Sequence, residues 1–166
     1  AQARIPSLSM AVLVAGAAME FYVSQHKIWL IETEVAEAQQ MARASLDEIS
    51  SALRLGGYQL RNHPAFLAGT DSLTIYYRND ATGEVDTVFY FVAPDFSSRP
   101  NLYRKLKGES PQVLSENVES LTLTQYGPNL LDIALTSRSV NSDSTLIHGD
   151  GYRRRTFQTQ VRLRNL

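Results

Sequence analysis

The 166-residue chain contains no cysteine, which excludes a disulfide framework, a thiolate metal site and a cysteine nucleophile. Its formal net charge is only -1, far from the basic excess with which a dedicated nucleic-acid binder works through bulk electrostatics. Proline is scarce, with 6 in all, and none falls between Ser7 and Leu55. The N-terminal uncharged run, Ile5 to Met19, stops at Glu20, short of the roughly 20 residues that cross a bilayer core as a helix. Internal repeats, low-complexity segments, nucleophile motifs, phosphate loops and paired-carboxylate signatures are all missing, and this argues against an enzyme and against any cofactor. The three histidines, His26, His63 and His148, are too far apart to read as a metal-ligand set.

What the chain does have is a long helical pattern. From Ile28 to Leu55 the apolar residues Ile28, Ile31, Val35, Ala38, Ala42, Leu46, Ile49 and Leu53 recur in steps of three or four, the spacing of a helix with one buried face. Glu32, Glu34, Glu37, Arg43, Asp47 and Glu48 fill the other faces. Gly56-Gly57 then supplies the residue type that most readily closes a helix C-terminus. Pro6 suits a first helical turn, so one helix is expected from about Ser7 to Leu55.

Upstream the same helix becomes apolar all round, through Leu8, Val12, Leu13, Gly16, Met19, Phe21 and Val23, with Glu20 as its one acid. Arg4 followed by this run has the look of a secretory leader, but the helical pattern continues directly and no convincing cleavage site intervenes. Lys27 and Trp29 follow at the polar border, which makes a marginal membrane segment with a snorkelling lysine and an interfacial indole. A helix roughly 70 Å long cannot be wrapped by the residues after Leu55, so its upper half must be covered by lipid, by copies of itself or by partners. A carboxylate at Glu20 then needs a cationic partner or a wet position. The chain divides into residues 1–27, an apolar helix half, and residues 28–166, a globular unit.

After the glycines the pattern turns to strands. Ser72–Arg78 and Val85–Ala93 alternate and are rich in β-branched and aromatic residues, with turn chemistry between them. Leu102–Leu106, Val118–Tyr126, Leu131–Ser137 and Arg153–Arg164 follow, separated by Gly, Pro and Asn. Strands with one apolar face and short turns imply an antiparallel sheet. The expected fold is α+β, a long N-terminal helix laid across one meandering sheet.

Two polar groupings remain. Asn141, Asp143 and Asp150 offer oxygen ligands for calcium but fit no helix-loop-helix register, and an ordinary loop is the preferred reading. Arg153, Arg154, Arg155, Arg162 and Arg164 form a basic C-terminal run, with Arg104, Lys105 and Lys107 as potential neighbours. DNA or an anionic surface is one partner for it. The near-neutral net charge favours a solvated strand face paired with the chain's own carboxylates.

The ordered blocks LDEISSALRLGGY, LYRK, PQVLSENVESLTLTQYG and RRTFQTQVRLRNL, behind a long N-terminal helix, together resemble type IV pilin-like proteins of the PilW kind, which are kin to J-type pseudopilins of type II secretion. The resemblance spans Gly16 to Leu166. It implies a structural subunit, a minor one that primes or caps a pilus or pseudopilus, with other pilin subunits as partners. The apolar helix would sit in the inner membrane before assembly and in the filament core afterwards, in an extracellular pilus or a periplasmic pseudopilus. The alternatives are a main filament subunit and a membrane-tethered module binding DNA or a surface. The start, Ala1 to Pro6, lacks the Phe and the fifth-position Glu of that family, and Glu20 lies too far along the helix to replace the latter.

Overall fold

The computed structural model describes residues 5–60, 64–127, 129–142 and 149–164, with side chains in the helix from residue 9 onward. A single helix, α1, runs from Ile5 to Leu55 without a break, about 77 Å at the helical rise. The division proposed at residue 27 therefore falls inside one continuous rod. At its C-terminus the Gly56 N–H donates to the Ala52 carbonyl at 3.0 Å. Gly57 takes the left-handed conformation at φ 77°, which any side chain would strain.

Eight strands follow: β1 (Phe66–Gly69), β2 (Ser72–Arg78), β3 (Val85–Pro94), β4 (Pro100–Leu106), β5 (Gln112–Ser115), β6 (Val118–Gln125), β7 (Leu130–Arg138) and β8 (Arg154–Arg162). They form two antiparallel sheets, one of five strands in the order β1-β2-β3-β4-β5 and one of three in the order β6-β7-β8. The expected α+β fold, a long helix packed on antiparallel strands, is observed, with the strands divided between two sheets where a single meander was expected. The break falls at Glu116-Asn117, where Asn117 takes φ 56°, its N–H held by the Asn101 side-chain oxygen at 3.1 Å. A second side chain crosses the seam, since Asp71 Oδ1 accepts from the Leu121 N–H at 3.1 Å. Strands β1 and β5, four residues each, lie in stretches whose pattern announces no strand.

The helix and both sheets share one core. Leu46, Ile49 and Leu53 from α1 meet Leu73, Ile75 and Tyr90 from the larger sheet and Leu131, Ile133, Leu135 and Val161 from the smaller. Each fully buried aliphatic side chain contributes about 1.5–3 kcal/mol by leaving water. Two serines also lie buried on the packed face of the helix, and each hydroxyl donates to a carbonyl one turn back, Ser45 to Met41 at 2.9 Å and Ser50 to Leu46 at 2.6 Å. Their polarity is thus satisfied locally.

Candidate assembly surface

Among the described residues, every side chain of the upper half of α1 from residue 9 to residue 30 is exposed. Val12, Leu13, Met19 and Phe21 are 66–73% exposed, and Val23 is 46% exposed. The side chain of Leu8 lies outside the described residues. An exposed stretch this apolar carries a hydration cost that contact with lipid or with another protein surface would remove. Gly16 sits within it, and a Cβ built there would meet nothing within 4 Å. The protomer itself therefore does not require a glycine at a site where it costs the helix about 1 kcal/mol relative to Ala.

Glu20 and Lys27 lie seven residues apart, two turns along the same helix face. Together with Gly16, Met19, Val23 and Ser24 they line one shallow groove of about 570 Å³. Tyr22, His26 and Trp29 stack in a row at 6.1–6.2 Å between ring centroids. This aromatic ladder marks the border at which the helix turns polar. Among the described residues no helix is long and apolar enough to cross a membrane. Glu20 and the polar segment from Ser24 to Lys27 interrupt the run.

The lower half holds the rod to the sheets. Ala38, Ala42, Leu46, Ile49 and Leu53 are buried, Ile31 and Val35 are half-buried, and Ile28 is 43% exposed. The packed stripe thus starts later than the periodicity placed it, and Ile28 belongs to the bare half. Apolar spacing records which face is apolar, and the reach of the sheets decides how far along that face is covered. Polar contacts add direction to this packing. Glu48 accepts from Arg104 Nη1 on β4 at 3.0 Å and from the Tyr90 hydroxyl on β3 at 3.4 Å. Burial, with the Glu48 carboxylate second, pushes the Tyr90 phenol well above its ordinary range. Further up, Glu34 Oε1 accepts from Asn141 at 2.8 Å, and the Arg43 guanidinium lies 5.4 Å above the Phe157 ring.

The basic run does not form one surface. Alternation along β8 puts Arg154 and Arg162 on one face and Arg155 on the other, with Arg153 and Arg164 flanking the strand. Arg154 and Arg162 stand about 27 Å apart along the strand. Arg154 is bidentate to Glu119, at 2.6 and 2.9 Å, and also binds Asp150. The Asp150 carboxyl is held far below its usual range by Arg154 and by the Tyr152 N–H. Arg104 and Lys107 lie on and beside β4 in the other sheet, against Glu48 and Glu84. The expectation that these cations adjoin the C-terminal run is corrected accordingly.

Of the oxygen ligands in the polar loop, Asn141 is committed to Glu34 and Asp150 to Arg154, while Asp143 lies outside the described residues. His63 and His148 lie outside them too. Among the described residues no group of three or more His, Asp or Glu side chains is placed to hold a metal ion.

A long helix seated by its lower half on antiparallel sheets, with its upper half bare, is an α+β architecture consistent with the pilin-like fold. Comparisons with known protein families, with curated proteins and with solved structures find no match.

Proposed function

We propose that the protein is a structural subunit of a type IV pilus or a related secretion pseudopilus, a minor one, which assembles through the upper half of α1. One observation carries this reading: a helix half with Val12, Leu13, Met19 and Phe21 exposed, joined rigidly to a folded unit with its own core. Apolar rods of this kind bury their surface by packing side by side. Gly16 supports the reading, because a glycine that its own protomer does not need suits close approach by another helix. Before assembly the bare half is held at the inner membrane, with Tyr22, Lys27 and Trp29 at headgroup level. After assembly it lies in the filament core and the sheets face outward, in an extracellular pilus or a periplasmic pseudopilus.

Electron microscopy of purified assemblies carrying a label on the sheet unit tests the proposal. Label at filament ends is the expected result. Label repeating along the length would make this chain the main subunit, and filaments free of label would overturn the reading.

A further inference from the structure

The five-stranded sheet carries a knob at one end and a hollow at the other. The knob is the β3–β4 turn, where Phe96 is fully exposed, at 112% of the reference area. The turn beneath it is fixed. Asp95 donates its N–H to the Arg99 carbonyl at 2.8 Å, and its Oδ1 accepts from the Ser97 and Arg99 N–H groups at 2.7 and 2.9 Å. Pro94 and Pro100 face each other where the strands leave the turn. The ring is thus held out on a rigid support, and its burial by a partner would cost little conformational entropy.

The hollow lies about 30 Å away, the length of β3, beside the β2–β3 turn. Leu55, Tyr58, Tyr77, Arg78, Asn79 and Asp80 enclose about 350 Å³ there. A cavity of about 150 Å³ suffices for a benzene ring. Leu55 and Tyr58 are 59% and 37% exposed, so among the described residues the hollow offers a partly bare apolar wall. The charges match. Asp95 and Arg99 flank the knob, and Arg78 and Asp80 rim the hollow.

We propose that Phe96 of one copy docks into this hollow on a second copy, with Arg99 against Asp80. Knob and hollow are different surfaces at opposite ends of one sheet, so the contact is head-to-tail and does not close at two copies. It rests on the reading of the protein as a filament subunit, in the form where the chain repeats along the filament as its main subunit, and adds a contact between sheet units to the packing of helices. A single anchored aromatic of this kind is worth at least about tenfold in association.

The test uses the assembled full chain with the Phe96 side chain replaced by its photoreactive benzoyl analogue, which keeps the ring. Illumination is expected to give a ladder of covalent multimers whose crosslinks map to Leu55–Tyr58 or Tyr77–Asp80. Arg99→Asp and Asp80→Arg should each lower the ladder yield about tenfold, and the two together should restore it. Assemblies that form normally but crosslink elsewhere, or whose ladder ignores both charge reversals, overturn this contact alone. A full chain that does not assemble overturns the filament reading and this contact with it.

Discussion

Tyr90 is the clearest case of one residue joining helix to sheet. Its ring is 1% exposed in the core, and its hydroxyl reaches Glu48. Because its folded pKa is raised, the phenol stays neutral in the native protein at a pH where it ionises in the unfolded chain. Its contribution is fully present below about pH 10 and is lost as the pH climbs beyond that value. Tyr77, also raised by burial and by Asp86, adds in the same direction. Chemical denaturation between pH 8 and pH 12 should therefore show stability falling on the alkaline side, on the scale of phenol ionisation. Tyr90→Phe should flatten that fall and cost about 0.5–1.5 kcal/mol at neutral pH for the lost hydrogen bond. An unchanged alkaline slope would remove Tyr90 from this role. Gly16 gives an opposite kind of prediction. Gly16→Ala should leave the folded unit intact and favour the helix by about 0.5–1 kcal/mol, while Gly16→Leu should favour the protomer's helix to a similar degree and yet reduce filament yield. Equal assembly of Gly16→Leu and wild type would show that no helix approaches closely there.

At the scale of the element, α1 is one helix with two energetic halves. Leu53 and Leu13 are the same residue type on the same rod, yet Leu53 is fully buried and Leu13 is 73% exposed. Leu53→Ala should cost about 2–5 kcal/mol in thermal or denaturant melts, because it opens a cavity beneath the helix. Leu13→Ala should change protomer stability by no more than about 0.5 kcal/mol and should show its effect in assembly yield instead. Comparable losses from the two would mean that the upper half is covered within the protomer. Much of this element could be read from the residues. The stripe of threes and fours, the absence of proline and the Gly56-Gly57 stop define it from about Ser7 to Leu55, against an observed Ile5–Leu55. The alternating strands β2, β3, β6 and β7 were equally legible, because one face of each is buried and side-chain direction reverses at every residue. The split into two sheets was not. At the seam Asn101 and Asp71, two ordinary polar residues, accept from backbone N–H groups far along the chain, and no local pattern signals such a partner. Strands β1 and β5 escaped for a related reason. At four residues each, their alternation is too short to stand out, and pairing with longer neighbours creates them. The bare half of the helix was visible as an apolar run, but the point at which coverage stops, between Ile28 and Ala38, is set by tertiary reach.

For the whole molecule, the decisive quantity is how its charges are spent. The net charge is -1, and the cations that sequence gathers at the C-terminus are divided by the fold between the two faces of β8 and its flanks. Arg154, the best placed of them, is held by Glu119 and Asp150, so a phosphate would have to displace two carboxylates to reach it. A protein that neutralises several phosphates loses DNA affinity steeply with salt, at a slope of about -0.9 per phosphate contacted. The arrangement here predicts weak DNA retention with a shallow slope, unchanged when Arg153, Arg154 and Arg155 are replaced together by alanine. The same replacement should instead loosen the three-stranded sheet, by up to about 1 kcal/mol, since Arg154 ties β8 to β6 through a partly exposed pair. Filter retention across a salt series, run beside thermal melts of the same variants, separates the two roles. A steep salt slope abolished by the triple replacement, with the melting curve unmoved, would assign the arginines to nucleic acid. A shallow slope with a lowered melting temperature would assign Arg154 to the fold.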